Sequence, residues 1–215
     1  MPVTRILHGA ANHRDQLHLA AHPAVDVLEG DFWVRSGRAI AHHDRPLGPL
    51  PLLAGWRGLT RRPRDPVTLD ELLALLPDGV GLMLDLRSWF RDPAPDLAGV
   101  LAGIDDHSSI ILSCERWELT DRMRGWLPSL PAAYSLKSPR HLERFIEGRR
   151  RGTLPPVQVS IRHSLLGGKQ DIEQLHDLGA RVSAWTVDDI DRALELAEWG
   201  VDAVISNRLQ VLNAV

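Results

Sequence analysis

The feature that most narrows the fold of this chain is a regular alternation of short apolar, β-branched runs with amphipathic stretches of helical period. The runs fall at Arg5–His8, Val25–Asp31, Gly81–Arg87, Ser109–Ser113, Ala132–Leu136, Val157–Arg162, Arg181–Thr186 and Ala203–Ser206, which makes eight candidate strands. Between them, Leu69–Leu76, Trp117–Trp126, Pro139–Arg150, Lys169–Leu178 and Asp189–Trp199 space their apolar residues as one helix face requires. From the third run onward a new strand begins about every 22 to 28 residues, the pitch of a βα unit feeding a parallel sheet. Eight such units predict a closed (β/α)8 barrel, built as a single domain over residues 1–215. An open doubly wound sheet is the competing arrangement. The segment after the first strand, HGAANHRD, lacks the GxGxxG loop such a sheet would place there.

Helix punctuation agrees with this division. Thr68 and Glu71 have capping-box spacing ahead of Leu69–Leu76, and Asp188 is expected to cap the helix ending at Trp199. Gly179 and Gly200 stand where a helix closes in a left-handed residue. The stretch from Ser36 to Val67 is rich in Pro, Gly and Arg and is expected to loop over one end of the barrel.

A formal net charge of -3 gives no reason to expect a general nucleic-acid partner. The single cysteine, Cys114, excludes an internal disulfide and fits a reducing compartment. The opening residues MPVTRILHGAANHRD show no secretory signal, and no apolar run approaches the ~20 residues of a membrane helix. A cytoplasmic location is therefore expected. Nothing in the sequence fixes an oligomeric state.

Barrel enzymes carry their chemistry at the C-terminal ends of the strands. Here the first strand ends in His8, and the second carries Glu29 and Asp31. The return segment Arg38–His43 ends in His42-His43-Asp44, and the third strand carries Asp85 and Arg87. Residues two apart on a strand share a face, so Glu29 pairs with Asp31 and Asp85 with Arg87. Carboxylates facing a barrel interior are costly unless paired or metal-bound. Three of them at one rim suit a hard cation, Mg²⁺ or Ca²⁺. Histidines beside them suit acid–base work near neutral pH. A rim salt bridge between Asp85 and Arg87 is the plainer alternative for those two residues.

At this point the sequence resembles the glycerophosphodiester phosphodiesterase family. The resemblance rests on HGAAN at His8, VLEGDFWVRSGRAIAHHD from Val27 to Asp44, VTLDELLALLP from Val67 to Pro77, LMLDLRS from Leu82 to Ser88, VSAWTVDD from Val182 to Asp189, and GVDAVISN from Gly200 to Asn207. Each motif is weak, but their order along nearly the whole chain is specific. The resemblance implies a metal-dependent hydrolase of glycerophosphodiesters or lysophospholipids, releasing glycerol 3-phosphate and an alcohol. It implies His8 and His43 as the acid–base pair and Glu29, Asp31 and Asp85 as ligands of Mg²⁺ or Ca²⁺. Arg87 takes the place of the family's phosphate-contacting lysine, and Trp185 lines the pocket. Two departures stand out. Gly9 replaces the arginine that usually follows the first histidine, with Arg87, Arg162 and Lys169 as candidate substitutes, and the third ligand is aspartate rather than glutamate. The His-x-x-Asn opening is also similar to that of phospholipase-D toxins and menorin-type proteins, which would bring Asn12 to the site. The alternatives are a lyase forming a cyclic phosphate and an inactive barrel that binds a phosphorylated ligand.

The remaining residues have plainer readings. His13, His18, His22 and His107 are expected in solvent or loops, and His42 is expected to face away from His43. Trp33, Trp117, Trp126 and Trp199 are expected to be packing residues. Trp56 and Trp89 are read the same way, with contact to an apolar substrate group as the alternative. Cys114 is expected to be a packed thiol, Glu115 a further rim carboxylate, and Arg149–Arg151 a solvated helix end.

Overall fold

The computed structural model describes residues 2–35, 37–48, 50, 52–55, 58–88, 92–104, 106–155 and 157–215; Trp56 and Trp89 lie outside them. In chain order the strands are β1 (Thr4–Leu7), β2 (Val27–Arg35), β3 (Arg38–Ala41), β4 (Arg45–Pro46), β5 (Leu52–Gly55), β6 (Gly58–Arg61), β7 (Val67–Thr68), β8 (Gly81–Arg87), β9 (Ile110–Cys114), β10 (Ala132–Leu136), β11 (Gln158–Arg162), β12 (Val182–Trp185) and β13 (Ala203–Ser206). The helices are α1 (Leu69–Leu75), α2 (Ala94–Leu101), α3 (Trp117–Trp126), α4 (Pro139–Arg150), α5 (Lys169–Asp177), α6 (Ile190–Glu198) and α7 (Leu209–Leu212). Strands β1, β2 and β8 to β13 pair in parallel, and β1 closes the ring by pairing with both β13 and β2. This is the predicted (β/α)8 barrel.

Side-chain alternation divides the apolar residues into two layers. Ile6, Val27, Met83, Ala133, Ala203 and Ile205 fill the barrel interior. The other strand face, including Leu28, Phe32, Leu82 and Leu84, packs under the helices in a larger core. Among the tryptophans, Trp117 is buried in that layer and stacks on Tyr134 at 4.7 Å. Trp126 departs from the packing expectation and is 48% exposed at the end of α3.

Several boundaries differ from the sequence reading. Strand β2 runs to Arg35 because its outer half pairs antiparallel with β3 as a hairpin. Within the Ser36–Val67 stretch, expected as a loop, β3 and β7 extend the barrel sheet, and β4, β5 and β6 form a small antiparallel sheet of their own. Helices α2 and α7 were not anticipated. Thr68 does cap α1 through the Glu71 amide at 3.4 Å, but the Glu71 carboxylate pairs with Arg14 instead of closing the box. Asp188 does not cap α6; Asp189 does, accepting from the Arg192 amide at 2.9 Å. His107 is buried, held between Ser129 and the Leu101 carbonyl. Arg149 is likewise not a free helix end, since it donates to the carbonyls of Leu178 and Leu154.

Candidate active site

Register brings the three predicted carboxylates together. Strand β8 pairs along its whole length with β2, with Asp31 directly opposite Asp85, and Glu29 lies two residues earlier on the same face. Oxygens of Glu29, Asp31 and Asp85 all lie within 4.8 Å of one another. Two residues past Asp85, Arg87 reaches back over the cluster. Its Nε donates to Asp31 Oδ1 at 2.6 Å, and its Nη2 pairs with Asp31 and, at 3.1 Å, with Asp85 Oδ2. Arg87 thus bridges the carboxylates and also lines the cleft.

The charge balance tests whether a cation suits the site. Three carboxylates around one guanidinium leave two negative charges when all are ionised. Burial, aggravated by Asp31 and Asp85, pushes the Glu29 carboxyl well above its ordinary range. Burial likewise raises Asp85, to about 6. Burial disfavours charge on Arg87, but Asp85 and Asp31 outweigh it and hold the guanidinium charged. An all-oxygen donor set that is short of two positive charges fits Mg²⁺ or Ca²⁺.

The segment after β1 supports this cluster. Gly9 is left-handed at φ 67, and its amide donates to Glu29 Oε2 at 2.7 Å. A short 3-10 turn, Ala10–Asn12, then packs on β2 so closely that a Cβ on Gly30 would lie 2.7 Å from the Ala11 Cβ. That approach lets Asn12 clasp Asp31 twice: Nδ2 donates to Oδ2 at 2.8 Å, and Oδ1 accepts from the Asp31 amide at 2.9 Å.

His8 lies one residue past β1, with Nε2 3.8 Å from Glu29 Oε2. Its Nδ1 is 2.8 Å from Asn207 Oδ1, and the Asn207 amide nitrogen donates to Asp188 Oδ2 at 2.7 Å. Asp188 also accepts from the Asn207 backbone N–H and from Ser206 Oγ. Burial alone would raise the Asp188 carboxyl; these donors outweigh it and hold it below the usual range. The chain of bonds fixes a tautomer. A carboxylate only accepts, so Asn207 turns its oxygen to His8, and His8 carries its proton on Nδ1. In the neutral ring the Nε2 lone pair then faces the cleft, beside Glu29. Asp188 and Asn207 were not named as site residues from the sequence, although both follow barrel strands.

His43 lines the same cleft, and its Nδ1 lies 3.3 Å from Asp44 Oδ1. His42 points elsewhere: it stacks on Trp33 at 6.0 Å, and its Nδ1 lies 2.6 Å from the Asp44 carbonyl. Trp185 and Thr186 line the cleft, whose volume is about 360 Å³. The sequence reading missed Lys137, which follows β10 at the rim and pairs there with Glu115. Its position directly after a barrel strand was the available signal. Of the proposed substitutes for the missing arginine, Arg162 lies over the Trp185 ring at 5.4 Å and Lys169 pairs with Glu173, so Arg87 and Lys137 are the cations in the cleft among the described residues. Cys114 is buried, with its thiol pushed up to about 12 by burial.

The chain resembles solved structures of one kind over nearly its full length. A phosphodiesterase from Oleispira antarctica, solved with its product sn-glycerol-3-phosphate, is 20% identical with TM-score 0.73; the match covers 98% of this chain and 96% of that one. A glycerophosphodiester phosphodiesterase from Thermotoga maritima is 16% identical with TM-score 0.74, covering 99% and 98%. One from Parabacteroides distasonis is 15% identical with TM-score 0.74, covering 98% and 95%. No curated protein matches the sequence. The sequence model of the glycerophosphoryl diester phosphodiesterase family matches residues 89–211, more than half of the chain. That stretch holds Glu115, Lys137, Trp185, Asp188 and Asn207, while the histidines and the carboxylate cluster precede it. Fold and sequence agree, and the chain belongs to the glycerophosphoryl diester phosphodiesterase family, a family of phosphoric diester hydrolases.

Proposed function

We propose that the protein hydrolyses glycerophosphodiesters or lysophospholipids to glycerol 3-phosphate and an alcohol, with a divalent cation held by Glu29, Asp31 and Asp85. The observation that carries this reading is the convergence of two histidines and a net-negative carboxylate cluster on one cleft. A cation there would neutralise the phosphate and stabilise the charge that develops on it. Arg87 and Lys137 would meet the phosphate oxygens from the cleft wall. His8, held by Asn207 with Nε2 towards the cleft, and His43 would exchange protons with the nucleophile and the leaving alkoxide. The lone buried thiol fits the reducing conditions of the cytoplasm. Among the described residues no helix is long and apolar enough to cross a membrane.

The His-x-x-Asn opening from His8, similar to that of phospholipase-D toxins, supports a second reading, in which the substrate's own neighbouring hydroxyl attacks phosphorus, the headgroup alcohol is expelled and a cyclic phosphate is released. Phosphorus NMR of the reaction with glycerophosphocholine or lysophosphatidylcholine separates the two. A monoester resonance alone supports hydrolysis, and a persistent cyclic-phosphate resonance supports the lyase. No turnover of either substrate with Mg²⁺ or Ca²⁺ would leave a ligand-binding barrel.

Arg87 supplies a further test. Arg87→Lys keeps the positive charge beside Asp31 and Asp85 and loses the fork. It is expected to retain more activity than Arg87→Ala, whose turnover should fall on the order of 10²-fold. Equal rates for the alanine variant and the wild type would restrict Arg87 to the salt bridge.

A further inference from the structure

The segment beside the cleft that carries β3 to β6 has a charge unlike the rest of the chain. Between Arg35 and Arg64 the sequence holds seven arginines and one acidic residue, Asp44. The whole chain has 25 Lys and Arg against 28 Asp and Glu, so the remainder has 18 against 27, a net charge of -9. The fold gathers this basic segment beside the cleft. In the β4–β6 sheet, Arg45, Ala54 and Leu59 form one row, and Leu52 and Arg61 form the next row on the same face. Leu53, on the opposite face, is buried. On the outward face Leu59 is 65% exposed, and Leu50, near the β4–β5 turn, is 52% exposed. Arg61 and Arg64 are exposed as well. Arg45 and Ala54 also line a hollow next to the cleft, together with His43 and Arg87, which line both.

A second observation concerns the positive charge of the segment. Arg35 and Arg62 both donate to one neutral acceptor, the Gly48 carbonyl, at 2.9 and 2.8 Å. Arg62 Nε is buried with no hydrogen-bond partner among the described residues. Burial and the neighbouring Arg35 together hold Arg62 below the ordinary arginine range. This pair lies in a pocket with Trp33, Pro46 and Pro66 rather than on the outward face, and it adds like charge behind the sheet that an anionic surface in front would offset. A nucleic acid would supply phosphates but offers little to two exposed leucines. An anionic lipid interface accommodates both, with acyl chains for the leucines and headgroups for the arginines.

We infer that the β4–β6 sheet and the arginines around it form a docking surface for anionic lipid membranes, seating the barrel mouth at the interface. The inference rests on charge segregation and exposure rather than on the proposed reaction, and binding can be read without turnover. In sedimentation with vesicles at low salt, the wild-type protein is expected to bind phosphatidylglycerol-containing vesicles and to leave pure phosphatidylcholine vesicles unbound. Binding should fall as salt rises, because exposed charges are screened beyond about 8 Å at physiological ionic strength. Arg61→Glu/Arg64→Glu should weaken binding on the order of 10²-fold, and Leu50→Ser/Leu59→Ser about tenfold. Both variants should keep the wild-type circular dichroism spectrum, since all four side chains face solvent. Absence of wild-type binding at low salt would overturn the inference, as would binding that neither folded variant weakens. A leucine variant that binds like the wild type, in a complex that an oligonucleotide displaces, would reassign the surface to polyanions.

Discussion

Replacing His8 or His43 with alanine is expected to lower the turnover of a glycerophosphodiester on the order of 10² to 10⁴-fold, the usual contribution of one general acid or base. The two imidazoles reach the cleft from different elements, one past β1 and one past β3, and each has a carboxylate-linked partner on Nδ1. Paired acid–base action needs one ring neutral and one protonated, so the pH–rate profile should be bell-shaped. Each single variant should lose one limb of that bell. The double variant should lose less than the product of the single effects, because residues that act as a unit are not additive. His42→Ala is the control within the same segment, since that ring lies against Trp33 and the Asp44 carbonyl. It should change the rate little. Asn207→Leu should weaken the grip on His8 and cost less than removing the ring itself. Unchanged rates for both His8→Ala and His43→Ala would remove the acid–base assignment and bring the ligand-binding reading forward.

Removing divalent cations with EDTA is expected to reduce the rate on the order of 10³-fold, and Mg²⁺ or Ca²⁺ should restore it better than Zn²⁺ because every candidate ligand is a carboxylate. Asp31→Asn keeps the shape that Asn12 and Arg87 enclose and removes a charge, so it should weaken cation affinity while the barrel stays folded. Stability gives a second readout that does not depend on turnover. An aspartate titrates at about 4 when unfolded, and Asp85 at about 6 in the folded protein. The metal-free folded state therefore binds more protons than the unfolded chain in that window, and it loses the associated stability as pH rises through about 6. A cation reverses this by favouring the ionised carboxylates. The rise in melting temperature on adding Ca²⁺ or Mg²⁺ should accordingly be larger at pH 8 than at pH 5. Full activity in excess chelator, together with no cation-dependent shift at either pH, would eliminate the metal site.

Much of this architecture was legible in the chain because it depends on local periodicity. The span Gly81–Arg87 reads as a strand in sequence and is one in the structure. Period two alone places Glu29 with Asp31 and Asp85 with Arg87 on shared faces. What period cannot supply is register between strands. Asp31 stands opposite Asp85 only because β2 and β8 pair in one of several offsets, and that choice turns two acidic pairs into a single cluster. The supports of the site are also long-range. Asn207 meets His8 across 199 positions, where barrel closure joins β13 to β1. Lys137 enters the cleft from β10, a strand with no acidic motif to mark it. The proline- and arginine-rich stretch from Ser36 to Val67 shows no strand period strong enough to reveal its small sheet. Its strands of two to four residues are held by cross-strand pairing rather than by their own propensity. The sequence by itself determined the barrel and the chemical character of its rim; the tertiary structure decided which of those residues meet, because register and ring closure are set by packing the whole sheet at once.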